Sequence, residues 1–408
     1  MKQGGKSALV LFAGLVLQAS SGSHGFAFPL DVDGRLPNAA GLAHPAPIPA
    51  RTFELAHADT EIHERDGDAL GEAARAALER GLAWLAKNQA KAADGALDCS
   101  GSAQAAPVAV TALAALAWMA GGNTPERGTN GRELARAIDW LVARTDLGSV
   151  ELPSGYISLS GDLISRMHGH GFATLALAQA WCMSPSTARG AQIHRALSAA
   201  IDCIQRSQSV EGGWWYGPEK GLNHEGSITV TELQALRAAK NAGLAVDKLC
   251  IERAVDYVAR SQKKDGSFRY ALGDEHSSVA LTAAAIATLN AAGKYEGKGI
   301  QEGYDWIARE LAARDASGFA KILGGGESGD GKHVSCAWYE RLYLAQAFWQ
   351  APDRRLFTSW WEKEVPRVLA QQDKDGSWND PRFGQAYATA VNCLVLALPE
   401  GLLPIFQR

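Results

Sequence analysis

Two histidines, His168 and His170, stand two apart in R-M-H-G-H-G-F-A-T-L, just ahead of a long apolar run. An imidazole titrates near neutral pH, so residues of this kind can act as general bases, hold a metal, or simply cap a helix. His276 and His333 occupy similar places, ahead of V-A-L-T and C-A-W-Y. Two charges lie inside apolar helical runs: Glu232 in T-V-T-E-L-Q and Arg341 in W-Y-E-R-L-Y. Charges rarely enter a core unpaired, so these two either pair with each other across a cavity or bind a polar ligand. Tyr339, Glu340, Arg341 and His333 cluster in sequence and include the acid and base types that a hydrolase or lyase would need. The candidate catalytic residues are His170, Glu232, His333, Tyr339 and Arg341. Zinc requires three or four converging ligands, whereas Cys336 and His333 offer two and no CxxC spacing occurs. No metal and no cofactor is expected.

These residues must be positioned by a repeat. A-I-D-C-I-Q-R-S-Q-S-V-E-G-G-W, A-V-D-Y-V-A-R-S-Q-K-K-D-G-S-F and V-L-A-Q-Q-D-K-D-G-S-W are versions of one pattern. In each, a Gln (Gln208, Gln262, Gln372) precedes an aromatic (Trp214, Phe268, Trp378) by the same step. The separations give a period of roughly 55 residues, somewhat long for a helical-pair repeat. Degenerate copies at Gln89 with Asp94-Gly95, near Thr145, and at Arg314 to Phe319 bring the total to six. Each unit opens with an amphipathic helix, as in Leu70, Ala74, Leu78, Leu82 and Leu85, whose apolar residues recur at helical spacing. A polar turn and a second, Ala-rich helix follow. The Gln amide can satisfy carbonyls left loose at the helix end, and the Gly permits the reversal. Strand signals are sparse, so the fold is read as all-α.

The Gln…Gly-x-Trp/Phe elements resemble the QW repeats of squalene–hopene cyclases and of protein prenyltransferase β subunits. The M-H-G-H-G-F-A-T-L-A-L-A-Q-A run and the terminal L-P-I-F-Q-R are similar to an exported bacterial prenyltransferase/squalene oxidase repeat subgroup. The resemblance implies an α6/α6 toroid whose second helices line a central cavity. It then implies a ring of one polar residue per second helix: Thr111, Thr174, Thr282 and Thr389, with Glu232 and Arg341 completing it. The histidines would gather at one mouth, and Trp338, Tyr339, Tyr343 and Tyr387 would form an aromatic lining suited to a lipid, terpenoid or sugar. The cyclase chemistry itself is not matched. Phe172, Val230 and Ala280 stand where an Asp-x-Asp-Asp motif would place its acid, and the prenyltransferase zinc ligands have no counterpart.

The chain has 408 residues, 47% of them hydrophobic, and a net charge of -4. Such a balance gives no reason to expect nucleic acid as a partner, and no partner subunit is evident. The expected ligand is an isoprenoid, a lipid or a glycan, and the pattern leaves enzyme and binding module both open. Lys2 and Lys6 precede an apolar stretch from Ala8 to Ala19, and Gly25-Phe26-Ala27 offers small residues for cleavage. Residues 1–27 therefore read as a signal peptide, 28–67 as a Pro/Ala/Gly-rich linker and 68–408 as the repeat domain, exported to the periplasm or beyond. The six cysteines lack the spacing of a disulfide framework and read as buried thiols.

Overall fold

The computed structural model describes residues 69–148, 153–316 and 337–407. The signal peptide and linker expected over residues 1–67, and His333 with Cys336, lie outside the described residues. Among the described residues the regular elements are helical, joined by isolated β-bridges.

Six outer helices are α1 (Ala69–Gln89), α3 (Gly131–Ala143), α5 (Ala188–Ser207), α7 (Lys248–Arg260), α9 (Lys298–Ala316) and α11 (Arg354–Ala370). Six inner ones alternate with them: α2 (Pro107–Ala120), α4 (Arg166–Met183), α6 (Gly226–Asn241), α8 (Val279–Ala291), α10 (Ala337–Trp349) and α12 (Gly384–Ala397). The division follows from composition. In α3, Leu134, Ile138 and Leu141 are buried at helical spacing, leaving a polar face for water. In α2 every residue from Val110 to Ala120 is buried, as a helix covered on all sides requires. Each inner helix packs on the next, and α12 packs on both α10 and α2, so the ring closes. This is an α6/α6 toroid.

The recurring glutamines hold neighbouring units together. Gln208 Nε2 donates to the Gly212 carbonyl in its own turn at 2.9 Å and to the Cys250 carbonyl in the next outer helix, also at 2.9 Å. Gln89 makes the same pair of bonds to Gly95 and Glu133, and Gln262 to Gly266 and Gly299. Gln372 binds Gly376 and Ala77, both at 2.9 Å, and thereby ties the last unit to the first. The turn glycine is required as well. Gly212 has φ 95°, and a Cβ there would lie 2.4 Å from the Arg253 carbonyl oxygen on the next outer helix. The aromatic that follows covers the joint, with Trp214 and Trp378 donating to the Ile204 and Val368 carbonyls at 2.7 and 2.8 Å.

The far end of the ring is stoppered by the chain's own terminus. Leu398–Glu400 and Pro404–Phe406 form short 3-10 turns that leave α12 and reach α10 and α6. Leu403, Ile405 and Phe406 are buried there. Gln350 Nε2 donates to the Ile405 carbonyl at 3.4 Å, and Trp349 Nε1 to Gln407 Oε1 at 3.2 Å.

Gln208→Ala removes the two buried hydrogen bonds that Nε2 donates across the joint, so unfolding stability should drop by about 2–3 kcal/mol. Urea denaturation measures this; a loss below about 0.5 kcal/mol would show that the clamp does not hold the units together.

Candidate functional site

In five of the six units, among the described residues, a polar side chain on the inner helix proves to be an anchor that fastens the preceding turn. The backbone N–H of Leu97 donates to Thr111 Oγ1 at 3.1 Å, that of Phe268 to Thr282 Oγ1 at 3.1 Å and that of Trp378 to Thr389 Oγ1 at 3.0 Å. In the third unit the acceptor for Trp214 is Thr229, at 3.1 Å, in place of Glu232. In the second unit the Ile157 N–H donates to Nδ1 of His170, at 3.0 Å, in place of Thr174, whose hydroxyl bonds back to the His170 carbonyl at 2.8 Å. The expected register was thus about one helical turn too deep in two units, because residues three or four apart share a helix face.

His170 therefore points away from the ring centre. It lies against the loop that carries Tyr156 and Ile157, with the Ala200 carbonyl of α5 bearing on the other side of its ring. Glu232 is also placed off the axis, fully buried between α6 and α4. A Cβ on Gly171 would come within 3.2 Å of its carboxyl, and neither carboxyl oxygen has a hydrogen-bond partner. Glu232 and Arg341 do not form the cross-cavity pair. Arg341 Nε bonds Glu364 Oε1 at 2.8 Å, and its other nitrogens reach Asn392 and Gln371 at 3.0 and 3.1 Å. The guanidinium also lies over Trp338, 4.6 Å from the ring centroid. Arg341 found its carboxylate on α11, the outer helix of the following unit, which the inner-helix alignment could not reveal. Glu340 is engaged by Arg314 at 2.6 Å.

Among the described residues, His168, His170 and His276 do not assemble as a cluster. His168 and His170 lie inside α4, both buried, while His276 lies in a partly exposed turn. Among the described residues no group of three or more His, Cys, Asp and Glu side chains is placed to hold a metal ion.

A pocket does occur where the inner helices begin, between α2, α4, α10 and α12. It is small, with a usable volume of about 30 Å³, and opens in part to solvent. Val110, Leu113, Phe172, Leu342 and Phe383 supply apolar walls, and His168, Tyr339 and Tyr387 also line it, mainly through ring carbons, so its surface is almost wholly apolar. Tyr339 is thus the expected catalytic candidate that reaches the pocket, and Phe172 lines it from the position that an acid would take in the cyclase motif. The loop before α4 shapes one wall. Asp162 Oδ2 accepts the Val108 N–H at 3.3 Å and Ser165 Oγ accepts the Ala109 N–H at 3.2 Å, so this loop caps the start of α2. Arg166 takes φ 44° at the start of α4, a strained conformation for a residue with a side chain. Sequence reasoning missed Ser165 and Phe383, which lie in turns and carry no periodic signal.

Behind the pocket, the His168 ring lies 6.1 Å from that of Tyr216, whose hydroxyl is 2.7 Å from the Tyr270 hydroxyl. Burial drives the pKa of His168 down to about 3, so its imidazole is neutral at pH 7. Burial likewise lowers His170 to about 3. It raises Glu225 to about 7, against the opposing bonds from Ser227 and Ile228, and holds Glu232 well above the ordinary carboxyl range.

No protein-family model and no curated protein matches the chain. Solved structures do. Cellobiose 2-epimerase from Spirochaeta thermophila is 13% identical, with a TM-score of 0.54 over 81% of this chain and 96% of that one. A GH76 α-mannanase from Bacteroides thetaiotaomicron is 10% identical, with a TM-score of 0.53 over 80% and 94%. A type II terpene cyclase from Scytonema is 16% identical, with a TM-score of 0.51 over 82% and 99%. The fold is terpenoid cyclase-like. Toroids of this kind also carry sugar chemistry, so the likeness concerns architecture and leaves activity to the site.

Two predictions follow from the buried groups. His170→Ala should lower stability by about 1–3 kcal/mol, by stranding the Ile157 N–H, while His170→Thr should recover part of the loss; equal stability of wild type and His170→Ala in urea would refute the anchor. The second concerns pH. The two histidines are depressed to about 3, so their contribution is complete above pH ~6.5 and is lost as pH falls through that value. Glu225, raised to about 7, contributes fully below its unfolded value and loses that contribution as pH rises; Glu232 acts in the same direction. Between pH ~4.5 and ~6.5 the opposed slopes offset each other. Stability should therefore be level there, fall steeply on further acidification, and fall on the alkaline side. Glu232→Gln should flatten the alkaline limb, as urea titrations across pH will report.

Proposed function

We propose that this protein is an exported toroid that binds an apolar ligand, of isoprenoid or lipid type, in the pocket at the start of its inner helices. The observation that carries this reading is the lining: Leu113, Phe172, Leu342 and Phe383 dominate, and the exposed surface is almost wholly apolar. Small-molecule sites are lined predominantly by hydrophobic and aromatic side chains. A glycan-processing site would use acid and base carboxylates beside the bond to be cleaved. Of the sequence candidates for that role, Tyr339, His333, Glu340 and Arg341, the charged pair Glu340 and Arg341 is already committed to Arg314 and Glu364. The apolar reading is therefore preferred to the carbohydrate one. Export rests on the basic start and the apolar stretch from Ala8 to Ala19, and amino-terminal sequencing of protein from the periplasm tests it.

The reading is tested by native mass spectrometry of full-length protein after exposure to a lipid extract and to an oligosaccharide mixture. A bound lipid or isoprenoid is expected, and Phe172→Asp, which places a charge in the apolar wall, should reduce its occupancy at least about tenfold. Retention of an oligosaccharide with no lipid bound would overturn the proposal.

A further inference from the structure

The pocket is small as it stands, so an apolar ligand enters only if one of its walls moves. The packing of the ring shows which wall that is. The buried apolar side chains among the described residues form two cores. The first joins α2, α4 and α12, and the second joins α8 and α9. Helix α10 belongs to both, with Trp338, Leu342 and Ala345 in the first and Tyr343, Ala347 and Phe348 in the second. It packs more extensively on α8 than on α12.

Where the cores meet, polar contacts stand among the apolar ones. Gln234 of α6 donates to Gln346 of α10 at 3.0 Å, with both side chains buried. Arg341 Nη1 of α10 donates to Asn392 Oδ1 of α12, also at 3.0 Å. Such pairs separate at less cost than interdigitated apolar side chains, because water can satisfy the groups that are freed.

The outer joint beside this seam differs in kind from the others. The clamp glutamine stands six residues ahead of its aromatic, as Gln208 does ahead of Trp214, but six ahead of Phe319 stands Ala313, exposed on α9. The second unit lacks the glutamine too, yet His170 pins its turn. At the fifth, ion pairs fasten α9. Arg314 reaches Glu340 of α10 at 2.6 Å, and Arg367 of α11 spans Asp315 and Glu364 at 3.4 and 3.2 Å. The side chains of Arg314, Arg367 and Asp315 are each more than one-third exposed. Ion pairs so placed are weak and are screened by salt.

We infer that the pocket opens at this seam. Helix α10 moves with α8 and α9 away from α12, and the space between Leu342 on one side and Phe383 on the other widens to take an apolar ligand. What enters rests on the ligand-binding reading above; the opening itself is a property of the empty protein.

The test is hydrogen–deuterium exchange of full-length, unliganded protein, with the amides of α10 compared with those of α2, which lies within the first core. Arg367→Ala removes an exposed link and should speed exchange in α10 about three- to fivefold. Raising sodium chloride from ~10 mM to ~1 M, which cuts the screening length from about 30 to about 3 Å, should act the same way in wild type and less in the variant. Gln234→Leu combined with Gln346→Leu continues apolar packing across the seam and should slow exchange in α10 by a similar factor. Exchange in α2 should not change, and thermal melts verify that both variants fold. Farnesol affinity, by isothermal titration, should rise in Arg367→Ala and fall in the double variant, because the closed fraction weakens a ligand that binds only the open form. Unchanged α10 exchange in both variants would overturn the seam, whether or not farnesol binds. Opening as described, with no farnesol bound at any salt, would overturn the ligand-class reading and leave the seam standing.

Discussion

The toroid depends on a single demand: each turn between an outer and an inner helix must have its backbone polar groups satisfied in a crowded, nearly dry joint. The glutamine amide meets part of it by donating two hydrogen bonds, one within the turn and one to the next outer helix. A side chain on the inner helix meets the rest by accepting the N–H of the covering residue. Because one of the glutamine's bonds always crosses to the neighbouring unit, local satisfaction and ring closure are the same event. The bond from Gln372 to Ala77 is the final instance, since it joins the two ends of the repeat array.

This demand explains why polar residues inside the inner helices were poor guides to chemistry. His170 has the chemical versatility of a catalytic base, but its Nδ1 is used as a threonine hydroxyl would be, as an acceptor for a buried N–H. Glu232 lies beside Gly171, where the missing side chain leaves space for a carboxyl. A buried acid that stays protonated in the folded state avoids the cost of an isolated charge. The groups that do line the pocket, His168 and Tyr339, lie nearer the helix starts, where the inner helices of different units converge around empty space.

Packing also sets the size of the site. Tyr343, the Gln234–Gln346 pair and the terminal segment with Ile405 and Phe406 are buried among the inner helices, and the pocket that remains where those helices begin is small. Folds with this architecture serve in a terpene cyclase, an epimerase and a mannanase. The shared helical frame alone does not determine which activity such a protein has.

The helical class, the paired-helix period and the structural part played by Gln208, Gln262 and Gln372 were legible in the amino-acid sequence, because periodic burial and turn chemistry are local properties written every few residues. So was the general position of Tyr339. The partners of Arg341 and the isolation of Glu232 were not legible. Their surroundings come from helices far away in the chain, and neighbouring residues on a helix face look alike to any pattern. Register along the inner helices decided which hydroxyl, imidazole or carboxyl faced the turn, which faced a neighbouring helix and which faced the pocket. Two residues along a helix advance a side chain by roughly 3 Å but swing it about 200° round the axis, enough to take His170 out of the site and leave His168 within it. The repeat pattern was settled by the sequence; the choice between these two histidines was made only when the ring closed around them.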